Sequence, residues 1–147
     1  GSIIPLMWNF INKNQTLALY DENMTRFLID VDDAIDLILK STKYENCNLI
    51  PVTNSLKIKD LFEIYSKEFG LKYEIAKTRT GEKIHEIMAS NEEMRRMEYI
   101  KEDNLYLLHP KKEINKITFK NNEYSSRDCS LNKDELYNYL KNKNFYK

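Results

Sequence analysis

Thr78-Arg79-Thr80-Gly81-Glu82-Lys83-Ile84-His85-Glu86 is the stretch on which the reading of this chain turns. An arginine precedes a glycine, and a charged run then leads into Lys83–Met88, whose pattern predicts an amphipathic helix. A guanidinium beside a helix N-terminus holds anions well. Backbone N–H groups and the dipole favour negative charge there, and the planar fork binds phosphate bidentately. A plainer reading stands beside it, with Arg79 a solvated loop residue and Glu82 a favourable first-turn acid. On spacing alone the plainer reading is the commoner case.

Upstream, Leu71, Tyr73 and Ile75 alternate with Lys72 and Glu74, the period of a strand over Leu71–Ala76. Tyr73 and Lys77 have the Y-x-x-x-K spacing of a dehydrogenase pair, which needs one helical turn between them. On a strand they stand about 13 Å apart, so the pair is rejected. Lys59–Phe69 is an amphipathic helix stopped by Gly70. Farther back, Ile3–Asn12 reads as a helix with Pro5 in its first turn, and Leu17–Tyr20 as a short strand. Thr25–Ile29 is β-prone. Asp30 then caps a helix running to about Ser41, whose Ala34, Ile35, Leu37 and Ile38 are spaced to face a core. Asn48–Val52 is a buried-strand candidate.

Downstream, a short helix is expected over Glu92–Met97, then strands at Tyr99-Ile100 and Leu105–Leu108 and a further ribbon over Ile114–Phe119. Asn122–Ser126 reads as irregular and polar, and Asn132 with Glu135 forms a capping box for a last helix. The expected fold is mixed α/β, with short strands and helices in one domain over residues 1–147, residues 122–147 forming a tail with the terminal helix. The rhythm of a complete Rossmann sheet is missing.

Composition narrows the function. Lys+Arg and Asp+Glu both number 23, so no basic bias points to nucleic acid or an anionic membrane surface. No apolar run approaches the roughly 18–20 residues of a membrane span, and no signal segment opens the chain, so a cytoplasmic protein is expected. Cys47 and Cys129 suit a reducing compartment as free thiols. His85 and His109 lie apart from each other and from the cysteines, which argues against a metal site; His85 reads simply as a helix residue. Only three glycines exist, in no phosphate-cradling pattern, so no dinucleotide cradle is encoded. Arg26, between a polar turn and an apolar strand, must face water or be paired.

Taken in order, several stretches resemble one family. Gly1-Ser2-Ile3-Ile4-Pro5-Leu6 is similar to its G-S-V-I-P-L, and Met24-Thr25-Arg26-Phe27 to its M-T-R-F. Pro51 through Leu61 resembles its P-x(n)-K-I-x-D-L, and Arg79–Glu86 its R-P-G-E-K-L-H-E, with Thr80 replacing proline. Tyr124-Ser125-Ser126 before a final helix is similar to the tail of its capsule-type members. The family is the polysaccharide-biosynthesis branch of the extended short-chain dehydrogenases. Within it the chain resembles the C-terminal half of the inverting UDP-N-acetylglucosamine 4,6-dehydratases, also described as 4,6-dehydratase/5-epimerases.

The resemblance implies a substrate-binding lobe in which Arg26, Arg79 and Glu82 contact the UDP-sugar and Leu19 packs near the nucleotide. It implies that NADP and the catalytic residues belong to an N-terminal Rossmann domain outside this chain, so that the chain alone has neither cofactor nor activity. The intact parent, a homo-oligomer by the same inference, would oxidise C4, eliminate water across C5–C6 and return the hydride to C6. The alternative is a stand-alone sugar-nucleotide-binding or interaction domain without chemistry.

Overall fold

The computed structural model describes residues 2–77, 80–111, 113–114, 123–143 and 145. The ribbon expected over Ile114–Phe119 therefore lies almost wholly outside the described residues, as do Arg79 and Asn122. The chain is mixed α/β, built of short strands and helices as expected. It groups into two compact units, each discontinuous in sequence: 1–26, 55–85 and 130–147 in the first, and 27–54 with 86–129 in the second.

In the first unit, α1 (Ile3–Asn12) leads through Asn14, at φ 52°, into β1 (Thr16–Leu19). Asparagine tolerates this left-handed turn better than a branched residue. β1 lies parallel to β5 (Lys72–Ile75), with Leu19 opposite Ile75. Between them in sequence come β2 (Thr25–Phe27, its last residue counted with the second unit), β4 (Ser55–Lys57) and α3 (Ile58–Phe69), with β2 paired to β4. α3 ends where expected, because Gly70 takes φ 71° and its N–H closes on Ser66. Its stripe of Leu61, Phe62 and Tyr65 is buried, as are Met7, Leu19 and Leu71. Trp8 lies edge-on to Tyr65 at 5.7 Å, and the Tyr65 hydroxyl donates to the Phe145 carbonyl. The last helix, α5 (Lys133–Asn142), has the expected capping box, in which Asn132 accepts from Glu135 N–H and the Glu135 carboxylate accepts from Asn132 N–H.

The second unit holds α2 (Val31–Ser41) and an antiparallel sheet of β3 (Asn48–Pro51), β8 (Leu105–Leu108) and β7 (Met97–Ile100). It also holds the pair β6 (Ile87–Ala89) and β9 (Tyr124–Ser125), and α4 (Asn91–Met94). Its core is Ile50, Ala89, Met94, Met97, Leu108 and Tyr124.

Four readings are corrected here. The helix expected over Lys83–Met88 does not form: Ile84 and His85 bend, and Ile87–Ala89 is a strand whose bonds go to β9. The short helix stops at Met94, and Met97 opens β7, because its buried side chain belongs to the sheet core. Asn122–Ser126 is not simply irregular, since Tyr124, Ser125 and Ser126 are buried and Tyr124-Ser125 pair with β6. Finally, α2 starts on its expected Asp30 cap but buries none of its residues, leaving Ile35 50% and Ile38 66% exposed. Helical spacing decides which side chains share a face, not whether another element covers it. Both cysteines are free thiols, and no described helix is long and apolar enough to cross a membrane.

Candidate functional site

The expected site residues are distributed unequally. Leu19 ends β1 with its side chain 1% exposed, so it is a core residue whose backbone, not its surface, faces the neighbouring strand. Arg79 lies outside the described residues. Arg26 and Glu82, 56 positions apart, meet at 2.9 Å between Nη2 and Oε1.

That meeting follows from β2. Pairing with β4 makes the short strand regular, and the Met24 carbonyl beside it accepts from Ile58 N–H. Alternation along the strand buries Thr25 and leaves Arg26 half-buried. The segment 80–85 then folds against it. Gly81 takes φ 85°, a conformation that other residues adopt at a cost, and this turns the chain so that residues 82–84 run past the guanidinium. Arg26 Nη2 donates to the Lys83 carbonyl at 2.9 Å as well as to Glu82, and Nη1 donates to the carbonyls of Thr25 at 2.8 Å and Ile84 at 3.3 Å. Thr25 N–H donates to the Ile84 carbonyl at 2.9 Å, and Thr25 Oγ1 is hydrogen-bonded to His85 Nδ1 at 2.9 Å.

The chemistry of this arrangement differs from that of a helix-terminal anion clamp. No helix begins at residue 83, so no helix dipole favours an anion there. What stands is a planar fork, whose charge is met by Glu82 and whose spare N–H groups are committed to carbonyls. Any anion approaching the guanidinium competes with Glu82 for it, and a carboxylate freed from that pairing accepts hydroxyl donors. Side-chain exposures of 25% for Arg26 and 30% for Glu82 keep the pair reachable while weakening water's screening of it. Gly70 and Gly81 sit at a helix end and in a loop, neither in a strand-to-helix turn. The described residues therefore do not fit a dinucleotide pyrophosphate.

Thr25 and His85 were missed as members of the site. Both lie inside the two stretches singled out by sequence, but their partnership spans 60 positions and has no local signal.

Residues 1–107 match the family described as "Polysaccharide biosynthesis protein". The chain belongs to that family. This bears out the resemblance to the polysaccharide-biosynthesis branch of the extended short-chain dehydrogenases. Among curated relatives, the "Uncharacterized membrane protein MJ1061" of Methanocaldococcus jannaschii is 30% identical over 155 residues, covering 96% of this chain and 45% of its own. A "UDP-glucose 4-epimerase" of Rickettsia bellii is 37% identical over 104 residues, covering 67% of this chain and 30% of its own. Among solved structures, "X-ray structure of Pen from Bacillus thuringiensis" superposes with TM-score 0.80 at 25% identity. That match covers 99% of this chain and 46% of the other. The chain thus spans less than half the length of each of these proteins.

Proposed function

We propose that this polysaccharide biosynthesis family member supplies the UDP-sugar-binding part of an NADP-dependent UDP-N-acetylglucosamine 4,6-dehydratase/epimerase. The observation that carries the reading is the convergence of Arg26 and Glu82 at 2.9 Å, which joins the two motif stretches into one locus. In this reading Arg26 and Arg79 balance the diphosphate and Glu82 accepts sugar or ribose hydroxyls. Leu19 shapes the floor under the nucleotide through its place in the core. NADP is held by residues other than those described, in a cytoplasmic homo-oligomer. The relatives named UDP-glucose 4-epimerase support a UDP-sugar as ligand and favour a second reading, in which the full-length protein epimerises at C4 without dehydration.

Calorimetry with UDP on the full-length protein tests the site. Arg79→Ala and Arg26→Ala should each weaken UDP binding about tenfold or more, the loss of roughly one charge-assisted contact of about 1.5–3 kcal/mol. Unchanged affinity in both variants overturns the assignment. Product analysis with UDP-N-acetylglucosamine then separates a 4-keto-6-deoxy sugar from a C4 epimer.

A further inference from the structure

We infer that Thr25 and His85 are positioning residues for this site, setting where Glu82 and the guanidinium of Arg26 stand; the inference rests on the UDP-sugar reading above. β2 grips the segment 82–85 from both of its faces. On one face, Arg26 reaches Glu82, Lys83 and Ile84. On the other, Thr25, only 2% exposed, binds His85 Nδ1 through Oγ1 at 2.9 Å. Between them the backbone bond from Thr25 N–H to the Ile84 carbonyl fixes the register.

The segment needs such a grip. It is neither helix nor strand, and it follows a turn at Thr80-Gly81. Lys83 and Ile84 are exposed, so their carbonyls have water as a ready alternative to Arg26. The Thr25–His85 bond is the better protected of the two grips, because Thr25 is buried while the Arg26 bonds to Lys83 and Ile84 lie at exposed residues. A threonine hydroxyl both donates and accepts, so it satisfies either neutral tautomer of His85. Neither side chain is required to touch the ligand; both act through the loop that carries Glu82.

The test uses His85→Phe, His85→Asn, Thr25→Val and Thr25→Ser in the full-length protein. Asparagine places a polar atom near the position of Nδ1, and serine restores the hydroxyl. Two readouts are taken: hydrogen exchange of the amide at position 25, which reports its bond to Ile84, and UDP affinity by calorimetry. His85→Phe and Thr25→Val should speed that exchange about tenfold and weaken UDP binding by a similar factor, in a protein that still melts in a single folded-state transition. His85→Asn and Thr25→Ser should recover both to within about threefold. Exchange unchanged in His85→Phe, or no recovery in His85→Asn and Thr25→Ser, overturns the positioning role. Wild-type protein that does not bind UDP overturns the functional reading instead, and the exchange readout still decides whether the pair holds the loop.

Discussion

Tyr124→Phe isolates one buried hydroxyl in the second unit. The ring is 4% exposed and lies 5.4 Å from Phe27 and 5.8 Å from Tyr106 by centroids, contacts that phenylalanine keeps. The hydroxyl accepts from Thr53 N–H at 3.0 Å and faces the carbonyls of Pro51 at 3.1 Å and Thr53 at 3.3 Å. Removing it strands the Thr53 amide and costs about 1–3 kcal/mol. At about 2–4 °C per kcal/mol for a chain of this size, the melting temperature should fall by roughly 3–10 °C at neutral pH.

Alkaline pH supplies an independent check. Burial holds the Tyr124 phenol up to about 12, above its ordinary 10.0. A raised folded pKa stabilises fully below the unfolded value, and that contribution disappears as pH rises from 10 through about 12. The contribution lost is up to roughly 2 kcal/mol once solvent screening is allowed for. Urea unfolding at pH 7, 10 and 11.5 measures it. The wild-type advantage over Tyr124→Phe should be constant from pH 7 to 10 and shrink above. An advantage that stays constant to pH 11.5, or a variant as stable as wild type at pH 7, refutes the reasoning.

Glu93→Ala removes the capping box of α4, in which the carboxylate accepts from Ser90 N–H and Ser90 Oγ–H, each at 2.8 Å. Those bonds hold the Glu93 carboxyl below its ordinary value, so their contribution is present above about pH 4.5 and is lost as pH falls through the depressed folded value. Thermal melts should show the gap between wild type and variant, about 1 kcal/mol at pH 7, closing in strong acid. For α2, the double substitution Ile35→Lys and Ile38→Lys should change stability by less than about 0.5 kcal/mol per site. A loss of several kcal/mol in denaturant titration would mean that this face is covered after all.

Sequence alone determined those elements whose signals are local. α3 stops at Gly70 because only a residue at ease with φ 71° ends a helix that way, and α5 starts on Asn132 because its box lies within four residues. The β5 segment was legible from alternation, the β1 segment as a short apolar run, and the two motif stretches from their residues and order. What tertiary structure alone decided is everything that depends on a distant partner. Lys83–Met88 has helical spacing yet becomes a bend and a strand, because β9, distant in sequence, offers hydrogen bonds and a buried face. Ile35 and Ile38 carry the spacing of a core face and remain in water. The same holds for the site: Arg26 and Glu82 each read locally as an ordinary charged residue. Their meeting, and the hidden bond between Thr25 and His85, exist only because β2 and the segment 82–85 are brought side by side.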